Sequence, residues 1–90
     1  MPRLRAGEER EEEMRKSVKW FAHLMERELR KNDGKGGWAD CPETFLFNSI
    51  VDNLNQARKL AHGKDKIKAC VDMANFAMMI ADNEQRRSKP

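Results

Sequence analysis

The sequence predicts an all-α fold: a bundle of three main helices, completed by oligomerisation. Three observations carry this. Two segments repeat apolar residues at helical spacing. A third, residues 69–81, is apolar almost all round, which places it against more than one neighbour. No segment alternates as a strand would. Only Asp72 and Asn75 interrupt the third segment's apolar character, and their spacing puts them on one helical face. Burying them without partners is expensive, so they mark a polar spot that is either a site or the remains of one.

The expected organisation is a flexible N-terminus over residues 1–7, one helical domain over 8–85 and a flexible tail over 86–90. The first helix is expected from about Glu8 to Lys31, with a narrow stripe of Met14, Val18, Phe21, Leu24, Met25 and Leu29. Trp20 and Ala22 lie off its centre. Asn32-Asp33-Gly34-Lys35-Gly36-Gly37-Trp38 ends it, because three glycines in four positions disfavour helix and suit unusual torsions. Trp38 has two roles open to it. Its ring can fold over the end of the core, or it can offer a stacking surface to a base with Lys35 beside a phosphate.

The second helix is expected to start near Asp40-Cys41-Pro42-Glu43, where proline and an acidic residue suit a first turn. Phe47, Ile50, Val51, Leu54, Ala57 and Ala61 form its apolar stripe, and Gly63 is expected to cap its end. The third helix follows from about Asp65 to Glu84 or beyond, so the two form an antiparallel hairpin. Beside the apolar stripe of the second helix runs a polar one of Ser49, Asp52, Asn53, Gln56 and Lys59. It either faces Asp72 and Asn75 or is the wet side of the helix.

Ninety residues make one small domain with a limited core, a size at which partners often complete the fold. The net charge is +3, from 18 basic and 15 acidic residues. Glu8, Glu9, Glu11, Glu12 and Glu13 form an acidic block, and Arg58, Lys59, Lys64, Lys66 and Lys68 a basic cluster around Asp65. The cluster is either solvated surface or an attraction for phosphate. Its density falls short of a nucleic-acid-binding tail. Cys41 and Cys70 suit neither a disulfide framework nor a zinc motif, and His23 and His62 have no ligand-like neighbours. Without a signal peptide or a long apolar segment, the chain is expected in the cytoplasm and not in a membrane.

Lys35-Gly36-Gly37-Trp38, followed by a helix and then by Asp72-Met73-Ala74-Asn75-Phe76-Ala77-Met78-Met79-Ile80-Ala81-Asp82, resembles the MazG-like all-α nucleotide pyrophosphohydrolases. The similarity is to the short phage and prophage type related to dATP/dGTP diphosphohydrolases, over roughly residues 17–84. It implies a dimer or dimer of dimers, with pockets between helices near the subunit boundary. It also implies carboxylates that hold magnesium across a triphosphate, in E-E-x-x-E on the second helix and E-x-x-D on the third. Magnesium needs several hard oxygen ligands. Here the first motif falls on Asp52, Asn53 and Gln56, and the second on Ala69 and Asp72. Of the four principal carboxylates only Asp72 remains at its place, with Asp52 a second weak metal candidate.

These departures each remove negative charge, which suits direct binding of an anionic nucleotide. The expected function is therefore a non-hydrolytic nucleotide-binding protein, a phage sponge sequestering a nucleotide or nucleotide second messenger of host antiviral signalling. The expected binding residues are Lys35, Trp38, Asn53, Gln56, Lys59, Asp72 and Asn75, with no catalytic residue and no resident cofactor. Trp38 would stack on the base, Asn75 and Gln56 would hydrogen-bond base or ribose, Lys35 and Lys59 would meet phosphate, and Asp72 would accept from a ribose hydroxyl or base amine. The alternatives are a magnesium-dependent (d)NTP pyrophosphohydrolase coordinated through Asp52 and Asp72, and a protein-interaction module with a vestigial pocket.

Overall fold

The computed structural model describes residues 13–88. The expected flexible N-terminus and the acidic residues from Glu8 to Glu12 lie outside them. Among the described residues there are three α-helices and no strand: α1 (Lys16–Lys31), α2 (Glu43–Lys59) and α3 (Lys64–Ser88), with a 3-10 turn at Asp33–Lys35. Each long helix answers to its periodicity, but the boundaries move. A continuous helix through Met14 and Arg15 does not form, because Arg15 is extended (φ −59°, ψ 148°) and α1 starts after it. The glycine segment accommodates one tight turn, with Gly36 at φ 88°, where a side chain would be strained.

Pro42 precedes α2 in an extended conformation, and its carbonyl accepts the Leu46 N–H at 3.2 Å. The helix stops at Lys59, before the expected cap. Leu60 turns extended (φ −82°, ψ 137°) and its half-buried side chain leaves the helical path. Gly63 therefore does not cap α2. At φ 107° it introduces α3 instead, and its carbonyl accepts the Ile67 N–H at 3.2 Å. Arg86, Arg87 and Ser88, expected in a loose tail, continue α3. Ion pairs of Arg86 with Asp82 and Arg87 with Glu84, and a 3.1 Å bond from the Ser88 hydroxyl to the Glu84 carbonyl, support that last turn.

α1 and α2 both pack on α3 and not on one another, so α3 is the central element. The buried apolar residues are Leu46, Ala57, Ala69 and Val71, and α1 contributes none. Met14 and Val18 are exposed, so the α1 stripe faces inward only from Phe21 onward. On α2 the inward row is Leu46, Ile50, Asn53 and Ala57. Phe47, Val51 and Leu54 of the expected core stripe stand exposed, while polar Asn53 turns inward. Among the described residues no helix is long and apolar enough to cross a membrane.

A Cβ at Gly63 would meet no atom within 4 Å, so the cost of Gly63→Ala is the backbone's alone. Gly63→Ala is expected to lower unfolding free energy by about 1–2 kcal/mol in chemical denaturation. Gly34→Ala, with equal space and no positive φ, is expected to lower it by nothing measurable.

Candidate functional site

α1 and α2 pack on α3 without contacting each other, and the connection between them lines the space they leave. The result is a cavity of about 440 Å³. Leu29, Phe45, Leu46, Phe76 and Met79 give it apolar walls, and Lys35, Gly36, Gly37 and Trp38 form its rim. Glu28, Asp33, Asp72 and Asn75 supply its polar groups. A second cavity of about 440 Å³ lies between α2 and α3, bordered by Asn53, Gln56, Lys59, Lys68, Ala69 and Asp72. The expected binding residues thus divide. Lys35, Trp38 and Asn75 meet in the first cavity, Asn53, Gln56 and Lys59 in the second, and Asp72 borders both.

The loop is held in place by Trp38. Its indole N–H donates to Asp82 Oδ2 at 3.0 Å, and its carbonyl accepts from Asn83 Nδ2 at 3.1 Å. The ring is half-buried and borders the first cavity, so the residue anchors the loop to α3 and lines the site at once. Asp82 also accepts from Gln85 and pairs with Arg86. The bonds from Gln85, Arg86 and Trp38, in that order, bring its carboxyl down to about 2.

Asn75 is 4% exposed. Its Nδ2 donates to the Met25 carbonyl at 3.1 Å and ties α1 to α3. Its Oδ1 is buried with no hydrogen-bond partner. A buried acceptor left unpaired is costly, and Asn75 is among the residues that line the first cavity. Asn53 uses its Nδ2 locally, on the Ser49 carbonyl at 2.9 Å.

Glu28 carried no signal in the sequence beyond its charge, yet it faces the first cavity. Lys68 stands between it and Asp72, 3.6 Å from Glu28 Oε1 and 2.9 Å from Asp72 Oδ2. The hydrogen bond to Asp72 raises the Lys68 pKa. Lys31, 2.8 Å from Glu28 Oε2, lowers that carboxyl's pKa against its burial, aided by Lys68. The magnesium implied by the family resemblance does not fit this donor set. An ammonium occupies the space between the two carboxylates, Asn53 and Gln56 are neutral amides, and Asp52 is exposed and borders neither cavity. Among the described residues no group of three or more His, Cys, Asp or Glu is placed to hold a metal. Cys41 and Cys70 are both free thiols.

Comparison with protein-family models, curated proteins and solved structures returned no match.

The depressed Asp82 carboxyl stabilises the folded chain above its ordinary value of 3.8, and that contribution is lost as pH falls toward about 2. In a Trp20→Phe background, Trp38 emission is expected to hold steady at neutral pH and shift within that acid window. Asp82→Asn keeps an acceptor for the indole and removes the titration, so the shift should disappear. Equal shifts in both proteins would show that the carboxylate does not hold the ring.

Proposed function

We propose that this chain binds a nucleotide without hydrolysing it, on a MazG-like scaffold that has lost its metal ligands. The observation that carries the proposal is the first cavity: an apolar cleft rimmed by Lys35-Gly36-Gly37-Trp38, with Asn75, whose buried Oδ1 has no partner, among its lining residues. Its volume falls in the range of small-molecule sites. Trp38 and Phe76 offer apolar surface to a base. Asn75 Oδ1 accepts from an exocyclic amine, and Asp72 from a ribose hydroxyl. Lys35 meets phosphate at the rim. Lys59, with Gln56 and Asn53 beside it, serves a longer phosphate chain or second nucleotide in the adjoining cavity. Sequestration of a nucleotide second messenger by a phage-encoded sponge is the biological role this chemistry suits.

The Glu28–Lys68–Asp72 arrangement supports holding over cleavage. Paired with lysine, these carboxylates repel phosphate less than bare ones would, and they are not free to gather a dication.

The test incubates the protein with nucleotides and nucleotide messengers, with and without magnesium. It then filters the mixture, denatures the protein and chromatographs both fractions. One compound should leave the filtrate and return intact from the denatured protein. Asn75→Leu should weaken its retention about tenfold or more. The exposed Lys35→Ala should also weaken it while leaving the far-ultraviolet circular dichroism unchanged. Monophosphate and pyrophosphate formed only with magnesium would establish the hydrolase instead. Retention of no compound would remove the nucleotide site and leave the interaction module.

A further inference from the structure

We propose that the groove between α1 and the start of α3 docks single-stranded nucleic acid, with Trp20 as the stacking platform for a base and Arg27 and Lys64 as the phosphate contacts. A third cavity, of about 320 Å³, lies there. Trp20, Leu24 and Arg27 line it from α1, and Lys64, Ile67 and Lys68 from α3. Glu28 and Asp65 border it as well. Glu28 is already held by Lys31 at 2.8 Å and by Lys68 at 3.6 Å. Among the described residues Arg27 and Lys64 have no ion-pair partner, and Asp65 is the one acid of this cavity that also has none. The uncompensated charge of the groove is therefore positive, which suits an anion.

The aromatic ring narrows the class of anion. Trp20 is 51% exposed, and its ring meets that of Phe21 at a tilt of 48°, not face to face. A large aromatic half in water adds little to the chain's own core. Beside cations it suits a base, because every base has a π-face and single strands are held by stacking together with phosphate contact. The positive charge also runs past one cavity. Lys68 and Asp65 line the second cavity too, where Lys59 stands on α2, and Arg58 and Lys66 adjoin in sequence. One phosphate group would need a single such site, whereas cations on either side of Lys68 match the repeated phosphates of a strand. The basic cluster by itself is too sparse for nucleic acid. The fold adds Arg27 and Trp20 to it from α1. Trp20, Arg27 and Lys64 border neither of the other two cavities, so this groove is separate from the proposed nucleotide site.

Fluorescence anisotropy of a labelled oligothymidylate of about 12 nucleotides tests it. The unaltered chain should bind the strand, and affinity should fall steeply as sodium chloride rises from about 50 to 200 mM. Trp20→Ala should weaken binding about tenfold, and annealing the strand to its complement should do the same. Arg27→Glu and Lys64→Glu should each weaken it about tenfold or more, with helicity unchanged. Arg87→Glu makes the same charge change at the far end of α3 and should weaken it about twofold at most. Three results would overturn the proposal. One is no binding at the lowest salt. The second is equal loss from Lys64→Glu and Arg87→Glu, which would leave only net charge at work. The third is an affinity untouched by Trp20→Ala, which would leave a surface for acidic polyanions without bases.

Discussion

Because α1 and α2 each pack on α3 and not on each other, whatever fixes them to α3 also sets the width of the cleft between them. Two sets of polar contacts act on α1 and the connecting loop, one at the middle of the apolar run and one just past its end. Asn75 grips the Met25 carbonyl and sets where α1 lies. The bonds from Trp38 to Asp82 and from Asn83 to Trp38 hold the connecting loop down on the later part of α3. Between them lies the cavity, with Gly36 and Gly37 on its rim. One side chain thus supplies both a structural bond and an unpaired acceptor. Asn75 uses its amide N–H to hold α1 and keeps a buried oxygen without a partner.

The electrostatics follow the same economy. Three lysines (Lys35, Lys59 and Lys68) and four carboxylates (Glu28, Asp33, Asp65 and Asp72) line the two cavities, and Lys68 joins Glu28 to Asp72 across the α1–α3 contact. A single ammonium bridging two carboxylates fixes their positions with one charge and three donors, where a dication would need further oxygen ligands. Ala69, 6% exposed beside them, leaves no room for argument about a missing ligand there, since a methyl group cannot coordinate. The molecule is also short of core. Its buried apolar set contains two large residues, Leu46 and Val71, while Phe47, Val51, Leu54, Val18 and Trp20 remain exposed. A domain this small with so much apolar surface uncovered has stability to gain from association.

The three helices, the central place of α3 and the polar pair within it were legible from periodicity, because helix formation follows the local repeat of apolar residues. So was the loop, because glycines in series disfavour helix. Which face of α2 turns inward was not legible. Its apolar arc is wider than one neighbour covers, and hydrophobicity alone cannot distinguish Leu46 from Phe47. The end of α2 was misplaced for a related reason: Gly63 suits a helix cap wherever it stands, and only the turn at Leu60 shows that it begins α3. Glu28 escaped notice because a lone glutamate on an amphipathic helix has no local signature.

By itself, then, the sequence determined the helical class, the breakpoints rich in glycine and proline, and the residues able to carry chemistry, since these depend on backbone propensity and side-chain type within a few positions. Tertiary structure decided the grouping. It parted Lys35, Trp38 and Asn75 from Asn53, Gln56 and Lys59, set Asp72 between them, and brought Glu28 to Lys68. These relations join residues far apart in the chain. They depend on how deeply and at what rotation the helices pack, which no local pattern encodes.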